Sequence, residues 1–200
     1  MLKIYLLSAL LACGPAKVET EGKTKDTSST EIGPPQPPPE FGVVEKDNCD
    51  QERIGSNVCN IFLYDQNGDI WELYKHKGKV VVLDFSTSWC YPCQMAGMQA
   101  QPLYDDYGGA VEFVTVLVDG FTHGVPPTED EITSWVQNHN ITTAPILRGS
   151  REYVLDPEGI TGYLIGGFPT YVFLDKELKI YRGAVGFNEQ YVRQTINELL

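Results

Sequence analysis

Two nearly continuous runs of apolar residues lie in the middle of the chain. Residues 79–86 read KVVVLDFS, and residues 110–120 read AVEFVTVLVDG. Apolar runs rich in β-branched residues are typical of strands that are covered on both faces of a sheet. We therefore expect these two segments to form the centre of a buried sheet.

Shorter apolar stretches, interrupted by turn residues, predict the outer strands. Residues 60–74, NIFLYDQNGDIWELY, indicate a hairpin because Asn67-Gly68 tolerates positive φ at a tight turn. Residues 169–186 predict two further strands joined around Lys176-Glu177, and residues 144–149 predict a short strand.

Three segments carry helix signals. Residues 90–107 predict a helix that Pro102 is expected to bend or to end early. Residues 129–138 follow a capping-box pattern, TEDE, at 128–131, and the last helix is expected to follow Asn188 as its N-cap. Alternation of strand and helix, followed by a hairpin and a helix, predicts an α/β fold with a mixed sheet.

A mostly apolar run also opens the chain. Residues 4–12 are too few to span a bilayer, which takes about 20 residues, and are typical of an export signal. The sequence LLAC at 10–13 resembles a bacterial lipobox, which predicts a signal peptide over 1–12 and acylation of Cys13. The acyl chains would hold an extracytoplasmic protein at a membrane. The alternative is a mis-assigned start or a simple secretory signal, in either of which Cys13 is incidental.

Composition divides the remainder of the chain. Residues 13–45 are rich in Lys, Glu, Thr, Ser and Pro and poor in large apolar side chains. Such a segment cannot bury enough surface to offset its ordering entropy, so we expect a disordered tether, followed by a folded domain over 46–200. The net charge of −12 leaves no room for a large basic patch and argues against a nucleic-acid partner.

The candidate chemistry lies in the cysteines, of which the chain has five. Cys90 and Cys93 are separated by two residues, a spacing shared by redox pairs, zinc sites and structural bridges. The strand predicted before them and the helix predicted after them place the Cys90 sulfur at a helix N-terminus, where backbone N–H groups and the helix dipole stabilise a thiolate. Cys90 is therefore the expected nucleophile, and Cys93 lies about one turn away. Pro92 suits the first helical turn, where no hydrogen bond is lost.

Three segments resemble the thioredoxin superfamily. The segment at 80–93, VVVLDFSTSWCYPC, matches its active-site segment. The segment at 162–175, GYLIGGFPTYVFLD, matches the one that carries a cis-proline. In AVGF at 184–187, Gly186 matches a glycine before the last helix that leaves room for a partner's backbone. The resemblance implies a thioredoxin-like three-layer α/β fold over roughly 46–200, with a central mixed sheet flanked by helices and an N-terminal β-hairpin extension. With the export signal, the N-terminal hairpin and the inserted segment between residues 120 and 165, the chain resembles TlpA/ResA-type extracytoplasmic proteins, a group that overlaps with the AhpC/TSA group.

The resemblance also implies a role for each matching residue. Cys90 attacks a substrate disulfide, Cys93 resolves the mixed disulfide, and Asp84 matches the buried acid that takes the proton from Cys93. The positions expected to support the site and bind substrate are Trp89, Tyr91 and Pro92 beside the cysteines, Phe168 and Pro169 in the cis-proline segment, and Gly186 before the last helix.

The implied activity is thiol–disulfide exchange that needs no cofactor and no metal. It would reduce disulfides of exported proteins and draw electrons from a membrane-bound donor protein, since Asp84 favours a reductase. The helix departs from the family at Met98, where a proline is usual, and at Gln94, where a basic residue is common. Both departures bear on the helix bend and on the local electrostatics.

Two other activities stay open at this point. Thr87 and Cys90 fit the Thr-x-x-Cys pattern of a peroxidatic cysteine, although the upstream proline of that motif is absent. A metal-binding module is the second alternative, with zinc at the cysteines or with His123 as a candidate copper ligand.

Several residues outside the motif also have competing interpretations. Cys49 and Cys59 are expected to form a structural disulfide, and the alternative is a second redox pair that exchanges with the first. Asp84 has the alternative of lying exposed at the end of its strand. His76 and His139 are expected at the surface.

Overall fold

The computed structural model describes residues 49–154, 163 and 165–200. The predicted signal peptide over 1–12, the predicted acylation site Cys13 and the predicted tether over 13–45 lie outside the described residues and stay predictions.

Seven strands and four helices follow one another along the described chain. The strands are β1 (Phe62–Tyr64), β2 (Ile70–Glu72), β3 (Val80–Thr87), β4 (Val111–Asp119), β5 (Ile146–Arg148), β6 (Thr170–Leu174) and β7 (Ile180–Val185). The helices are α1 (Tyr91–Asp106), α2 (Glu129–Asn138), α3 (Arg151–Val154) and α4 (Glu189–Leu199), and a 3₁₀ turn covers Leu73–His76. Apart from the 3₁₀ turn and the short α3, each of these elements was predicted from the sequence.

The central sheet has five strands in the order β5-β4-β3-β6-β7. β3 pairs in parallel with β4 and β4 with β5, whereas β6 is antiparallel to both β3 and β7. The two long apolar runs thus form the centre of a mixed sheet, as predicted.

Side chains of β3 alternate between two core layers. Val80 and Val82 pack in a layer with buried residues of α1, α2 and α4. Val81, Leu83 and Phe85 pack on the opposite face, with buried residues of the N-terminal segment and of α3. Layers on both faces of the sheet confirm the predicted three-layer architecture.

The N-terminal hairpin covers the second core layer. β1 and β2 pair antiparallel, with Leu63 opposite Trp71 and both side chains buried. At the turn Gly68 has a φ of 81°, whereas Asn67 stays at negative φ and donates its N–H to the Asp65 carboxylate at 2.8 Å. The predicted hairpin is confirmed, and Gly68 alone supplies the positive φ.

A disulfide joins Cys49 to Cys59 just before the hairpin, with Cα atoms 4.9 Å apart. Between them the backbone bonds to the start of β7: the N–H of Gly55 donates to the carbonyl of Ile180 at 2.7 Å. The start of the described chain is therefore hydrogen-bonded to β7, the neighbour of β6, and β6 directly follows the cis-proline segment.

The helix boundaries follow local chemistry. α1 continues through Pro102, so the early end does not occur. Ala100 and Leu103 are fully buried on either side of it, and this packing outweighs the lost hydrogen bond. α2 begins at Thr128 with both capping-box bonds present, and the Asn188 side chain caps α4 as predicted.

The prediction that two histidines lie at the surface is wrong. His139 is 5% exposed, with its Nδ1 atom 2.8 Å from the carbonyl oxygen of Trp135. Burial lowers the pKa of His139. His76 is half-buried, stacked on Trp71, with Nδ1 3.1 Å from the Glu112 carboxylate. An isolated histidine in a sequence carries no signal of the distant partners that bury it.

Candidate active site

Cys90 is the N-cap residue of α1. Its backbone is extended, and its Sγ accepts a hydrogen bond from the N–H of Cys93 at 3.4 Å. Pro92 lies in the first turn, where it costs no backbone bond. The Cys90 sulfur therefore lies at the N–H of Cys93 and at the positive end of the helix dipole.

Cys90 and Cys93 form a disulfide in the structure, with Cα atoms 5.2 Å apart. Cys93 is fully buried, and Cys90 is 6% exposed. A partner molecule has access only to the outer sulfur, because attack requires direct approach. The arrangement separates an outer sulfur that partners reach from an inner one that only Cys90 reaches.

The loop before β6 lies against Cys90. The Phe168–Pro169 peptide bond is cis, and the carbonyl oxygen of Phe168 lies 3.4 Å from Cys90 Sγ. Gly186 has a φ of 85° and donates its N–H to the carbonyl of Pro169 at 2.8 Å. A Cβ atom on Gly186 would meet nothing within 4 Å, so its backbone conformation, more than crowding, requires glycine. The structure brings the three thioredoxin-like segments together at one place.

Asp84 is fully buried in the middle of β3, so the alternative of an exposed carboxyl group is wrong. By alternation it faces the same core layer as Val82, which is the layer that contains Cys93. The hydroxyl of Ser86 donates to Oδ1 at 2.7 Å, and that of Thr115 to Oδ2 at 3.4 Å. Burial raises the pKa of Asp84 to about 7, and the two hydroxyl groups offset only part of this effect.

Tyr171 stands directly opposite Asp84 in the β3–β6 ladder. Its side chain is fully buried among aromatic rings that include Phe113 and Phe187. Its hydroxyl has no hydrogen-bond partner among the described residues. Burial and the nearby Asp84 carboxyl raise the pKa of Tyr171, so the hydroxyl stays protonated. The sequence offered no signal for this residue, because a tyrosine in an apolar strand normally indicates core packing.

A buried carboxylate beside Cys90 was also missed. Asp119, the last residue of β4, is fully buried and accepts a hydrogen bond from Trp89 Nε1 at 2.9 Å. The Nε and Nη2 atoms of Arg151 donate to it at 2.8 and 2.6 Å. Burial alone would raise the pKa of Asp119, but the bonds from Arg151, Gly124 and Trp89 outweigh it and lower the pKa. An aspartate at a strand end was visible in the sequence, but its arginine partner lies 32 residues away.

Two aromatic side chains next to the cysteines are exposed to solvent. Trp89 is 41% exposed and meets Phe168 edge to face, with ring centres 6.2 Å apart. Tyr91 is 75% exposed. Gln94, where a basic residue is common, donates its side-chain amide to the carbonyl of Ser88 at 2.6 Å. Gln94 thus holds the loop before Cys90 without adding charge.

The residues behind the alternative activities have other surroundings. The Thr87 hydroxyl is buried and makes no hydrogen bond to any described residue, Cys90 included. The His123 ring packs on Trp89, and its Nε2 lies 3.1 Å from Arg151 Nη2. Within the part of the chain that the structure describes, no three His, Cys, Asp or Glu side chains form a group that could hold a metal ion.

Known proteins share this sequence pattern. No family model matches the chain. It is similar to the thiol-disulfide oxidoreductase ResA of Bacillus cereus, with 28% identity over 142 residues that cover 69% of this chain and 74% of that protein. It is also similar to the thioredoxin-like protein YneN of Bacillus subtilis, with 27% identity over 124 residues, or 62% of this chain and 66% of that protein.

Solved structures share the fold. The exposed lipoprotein thioredoxin of Streptococcus pneumoniae matches with a TM-score of 0.58 and 27% identity, over 70% of this chain and 99% of that one. A DsbF homologue from Corynebacterium diphtheriae matches in fold, with a TM-score of 0.59 and 20% identity over 72% of this chain and 87% of that one. Together with the cysteine pair at the start of α1 and the cis-proline opposite it, these similarities show that the chain has a thioredoxin-like fold and resembles thiol-disulfide oxidoreductases.

Proposed function

We propose that this chain is a thiol–disulfide oxidoreductase that uses Cys90 and Cys93 and that it reduces disulfides of exported proteins. The observation that carries the proposal is the Cys90–Cys93 pair at the N-terminus of α1, against the cis Phe168–Pro169 segment. Similarity to proteins named thiol-disulfide oxidoreductases supports it.

The first step uses the outer sulfur, that of Cys90. In the reduced protein the Cys90 thiolate attacks one sulfur of a substrate disulfide, and the other substrate sulfur leaves as a thiolate that takes up a proton. The product is a mixed disulfide between Cys90 and the substrate. The helix N-terminus supports this step because it stabilises the attacking thiolate.

The second step uses the buried sulfur. The Cys93 thiol gives its proton to Asp84 and attacks Cys90 Sγ, which releases the second substrate thiolate and leaves the Cys90–Cys93 disulfide. This thiolate also takes up a proton, and Asp84 releases its proton to solvent. The substrate has then gained two electrons and two protons, and a reduced donor must restore the dithiol. With a pKa of about 7, Asp84 is matched to accepting a proton near neutral pH, which favours the reducing direction.

The substrate is an extended polypeptide in this proposal. Backbone groups of the Phe168–Pro169 segment lie beside Cys90 and can pair with an extended strand. The open space at Gly186 and the exposed faces of Trp89 and Tyr91 leave room for its side chains.

We place the protein outside the cytoplasm, held to a membrane through acylated Cys13 and supplied with electrons by a membrane-bound donor protein. The pneumococcal neighbour is named as an exposed lipoprotein thioredoxin, which supports this placement. None of the helices in the described residues is long and apolar enough to cross a bilayer. Incorporation of labelled palmitate into the wild type but not into Cys13→Ala would test the anchor.

An insulin-reduction assay with dithiothreitol tests the activity. We expect turnover by the wild type, none by Cys90→Ser, and a trapped mixed disulfide on Cys90 in Cys93→Ser. Asp84→Asn should slow the second step by about 100-fold, because a positioned base contributes on that order. Unchanged turnover in Cys90→Ser would refute the mechanism. A Cys90–Cys93 reduction potential near −120 mV, rather than near about −270 mV, would indicate an oxidant in place of a reductase.

A further inference from the structure

Asp119 ties together two loops that meet at Cys90. Its backbone oxygen accepts the N–H of Ser88 at 3.1 Å, and its carboxylate accepts Trp89 Nε1 at 2.9 Å. Both residues belong to the loop that immediately precedes Cys90. The same carboxylate accepts the N–H of Gly124 at 2.9 Å, from the loop that follows β4.

Arg151 extends these contacts to the cis-proline segment. Arg151 donates to both carboxylate oxygens of Asp119, and its guanidinium carbon lies 5.8 Å from the centre of the Phe168 ring. Phe168 in turn packs edge to face with Trp89, and its carbonyl oxygen lies 3.4 Å from Cys90 Sγ. The guanidinium thus binds one side of the site through Asp119 and the other through Phe168.

The geometry requires arginine in particular. A planar guanidinium can bind a carboxylate through two N–H groups and present a face to an aromatic ring at the same time, whereas a lysine ammonium is a point donor. Asp119 is fully buried, and a carboxylate in that position must keep its partners, since leaving it unpaired is strongly destabilising.

We propose that Asp119 and Arg151 form a positioning bridge that sets the separation of Trp89 from Phe168 and so determines specificity for protein disulfides. The proposal rests on the exchange function proposed above. A small disulfide needs only to reach the Cys90 sulfur. A polypeptide must also fit against Trp89 and Phe168. A shift of either side chain therefore weakens binding of a polypeptide more than binding of a small disulfide.

The test is a comparison of kcat/KM for reduction of insulin and of oxidised glutathione by the same protein. Arg151→Lys keeps the charge but loses the planar fork. We expect the ratio of kcat/KM for insulin to kcat/KM for oxidised glutathione to fall by about tenfold, mainly because KM for insulin rises. Misplacing a binding group by 1 Å can lower the rate by up to about 100-fold. Arg148→Lys is the matched control, because the Arg148 side chain lies at the surface, 3.8 Å from the exposed Glu129, and the ratio should stay unchanged.

Two further measurements keep folding separate from positioning. The double variant Asp119→Asn, Arg151→Gln removes both charges at once, so no buried carboxylate is left unpaired. It should show the same fall in the insulin-to-glutathione ratio of kcat/KM. Activities are expressed per folded molecule, with the folded fraction measured by circular dichroism. In Arg151→Lys the NMR resonance of the Trp89 indole N–H should shift, and its proton should exchange with solvent faster, because the Asp119 acceptor has moved.

The outcomes are distinct. An unchanged ratio in folded Arg151→Lys and in the double variant, or equal losses for insulin and oxidised glutathione, would overturn the positioning bridge while leaving the exchange function intact. A wild-type protein that reduces neither substrate would overturn both proposals.

Discussion

At the scale of single residues, the Asp84 carboxyl group links the proposed chemistry to the stability of the fold. The resemblance singled out Asp84 and its burial, but not its neighbours. Ser86 and Thr115 supply the two hydroxyl donors, and Tyr171 stands opposite without a partner. Ser86 is on the same strand as Asp84, but Thr115 and Tyr171 come from β4 and β6, so the strand register brings these two to Asp84, and a linear sequence does not display register.

The free energy of unfolding should fall as the pH rises from about 4 to about 7. The Asp84 pKa is about 7 in the folded chain against an ordinary value of 3.8, so in this interval the folded state binds a proton that the unfolded state has released. The resulting loss in the free energy of unfolding is on the order of 4 kcal/mol, and it no longer grows once the pH is well above 7. Asp84→Asn should lack this slope and be more stable than the wild type at pH 8, as measured by urea unfolding at several pH values.

The exposed Asp69 in the β1–β2 turn provides the control for that experiment. Asp69→Asn should retain the pH dependence of the wild type. A slope that persists in Asp84→Asn would contradict the assignment of the raised pKa to Asp84.

Tyr171→Phe should stabilise the protein. The Tyr171 hydroxyl is buried without a partner among the described residues, and an unsatisfied buried hydroxyl costs about 1 kcal/mol or more. The substitution removes the hydroxyl and keeps the ring contacts, so the urea midpoint should rise. Tyr181→Phe is the counterpart: it removes a hydroxyl that donates to Glu198 at 3.0 Å and should bring no gain. A lower midpoint for Tyr171→Phe would show that its hydroxyl has a stabilising partner.

At the scale of elements, the strands and helices were predictable because each has a local signal. Continuous apolar runs marked β3 and β4, and capping residues marked the starts of α2 and α4. The passage of α1 through Pro102 was not predictable, because it depends on packing on both sides of the proline. The short α3 had no local signal, although it carries Arg151 to Asp119.

Gly97 controls how closely α1 approaches α2. A Cβ atom at this position would lie 2.8 Å from Trp135 Cζ2 and 2.9 Å from His139 Cδ2. Gly97→Ala should therefore lower the free energy of unfolding by about 1 to 3 kcal/mol, although alanine is the better helix former. The exposed Met98 is the control in the same helix, and Met98→Ala should have little effect. A more stable Gly97→Ala would mean that the two helices can separate without loss.

At the scale of the whole molecule, the fold and the cysteine pair were predictable, whereas the surroundings of the pair were only partly so. Three segments spread over more than half of the domain matched one superfamily in the right order, and the structure brings them to one site. The Asp119–Arg151 contact depends on how loops close around that site, and no periodic pattern encodes such closure.

Removing the Cys49–Cys59 disulfide should destabilise the fold without stopping thiol exchange. The two cysteines are 10 residues apart, and closing a loop of that size restricts the unfolded chain by about 3 kcal/mol. Cys49→Ser with Cys59→Ser should lower the urea midpoint, while the folded variant still reduces insulin. Loss of exchange activity in the folded variant would favour the alternative of a second redox pair.

The burial of Cys59 protects the protein from copies of itself. A thiolate from a second molecule must approach in line with the S–S bond and expel one of its sulfurs. Attack on Cys59 is obstructed because this residue is 4% exposed. Attack on the half-buried Cys49 would expel Cys59 as an anion next to the buried Val58 and Ile61, where desolvation makes a thiolate a poor leaving group. A crowded population of these molecules would therefore leave one another's Cys49–Cys59 bond intact.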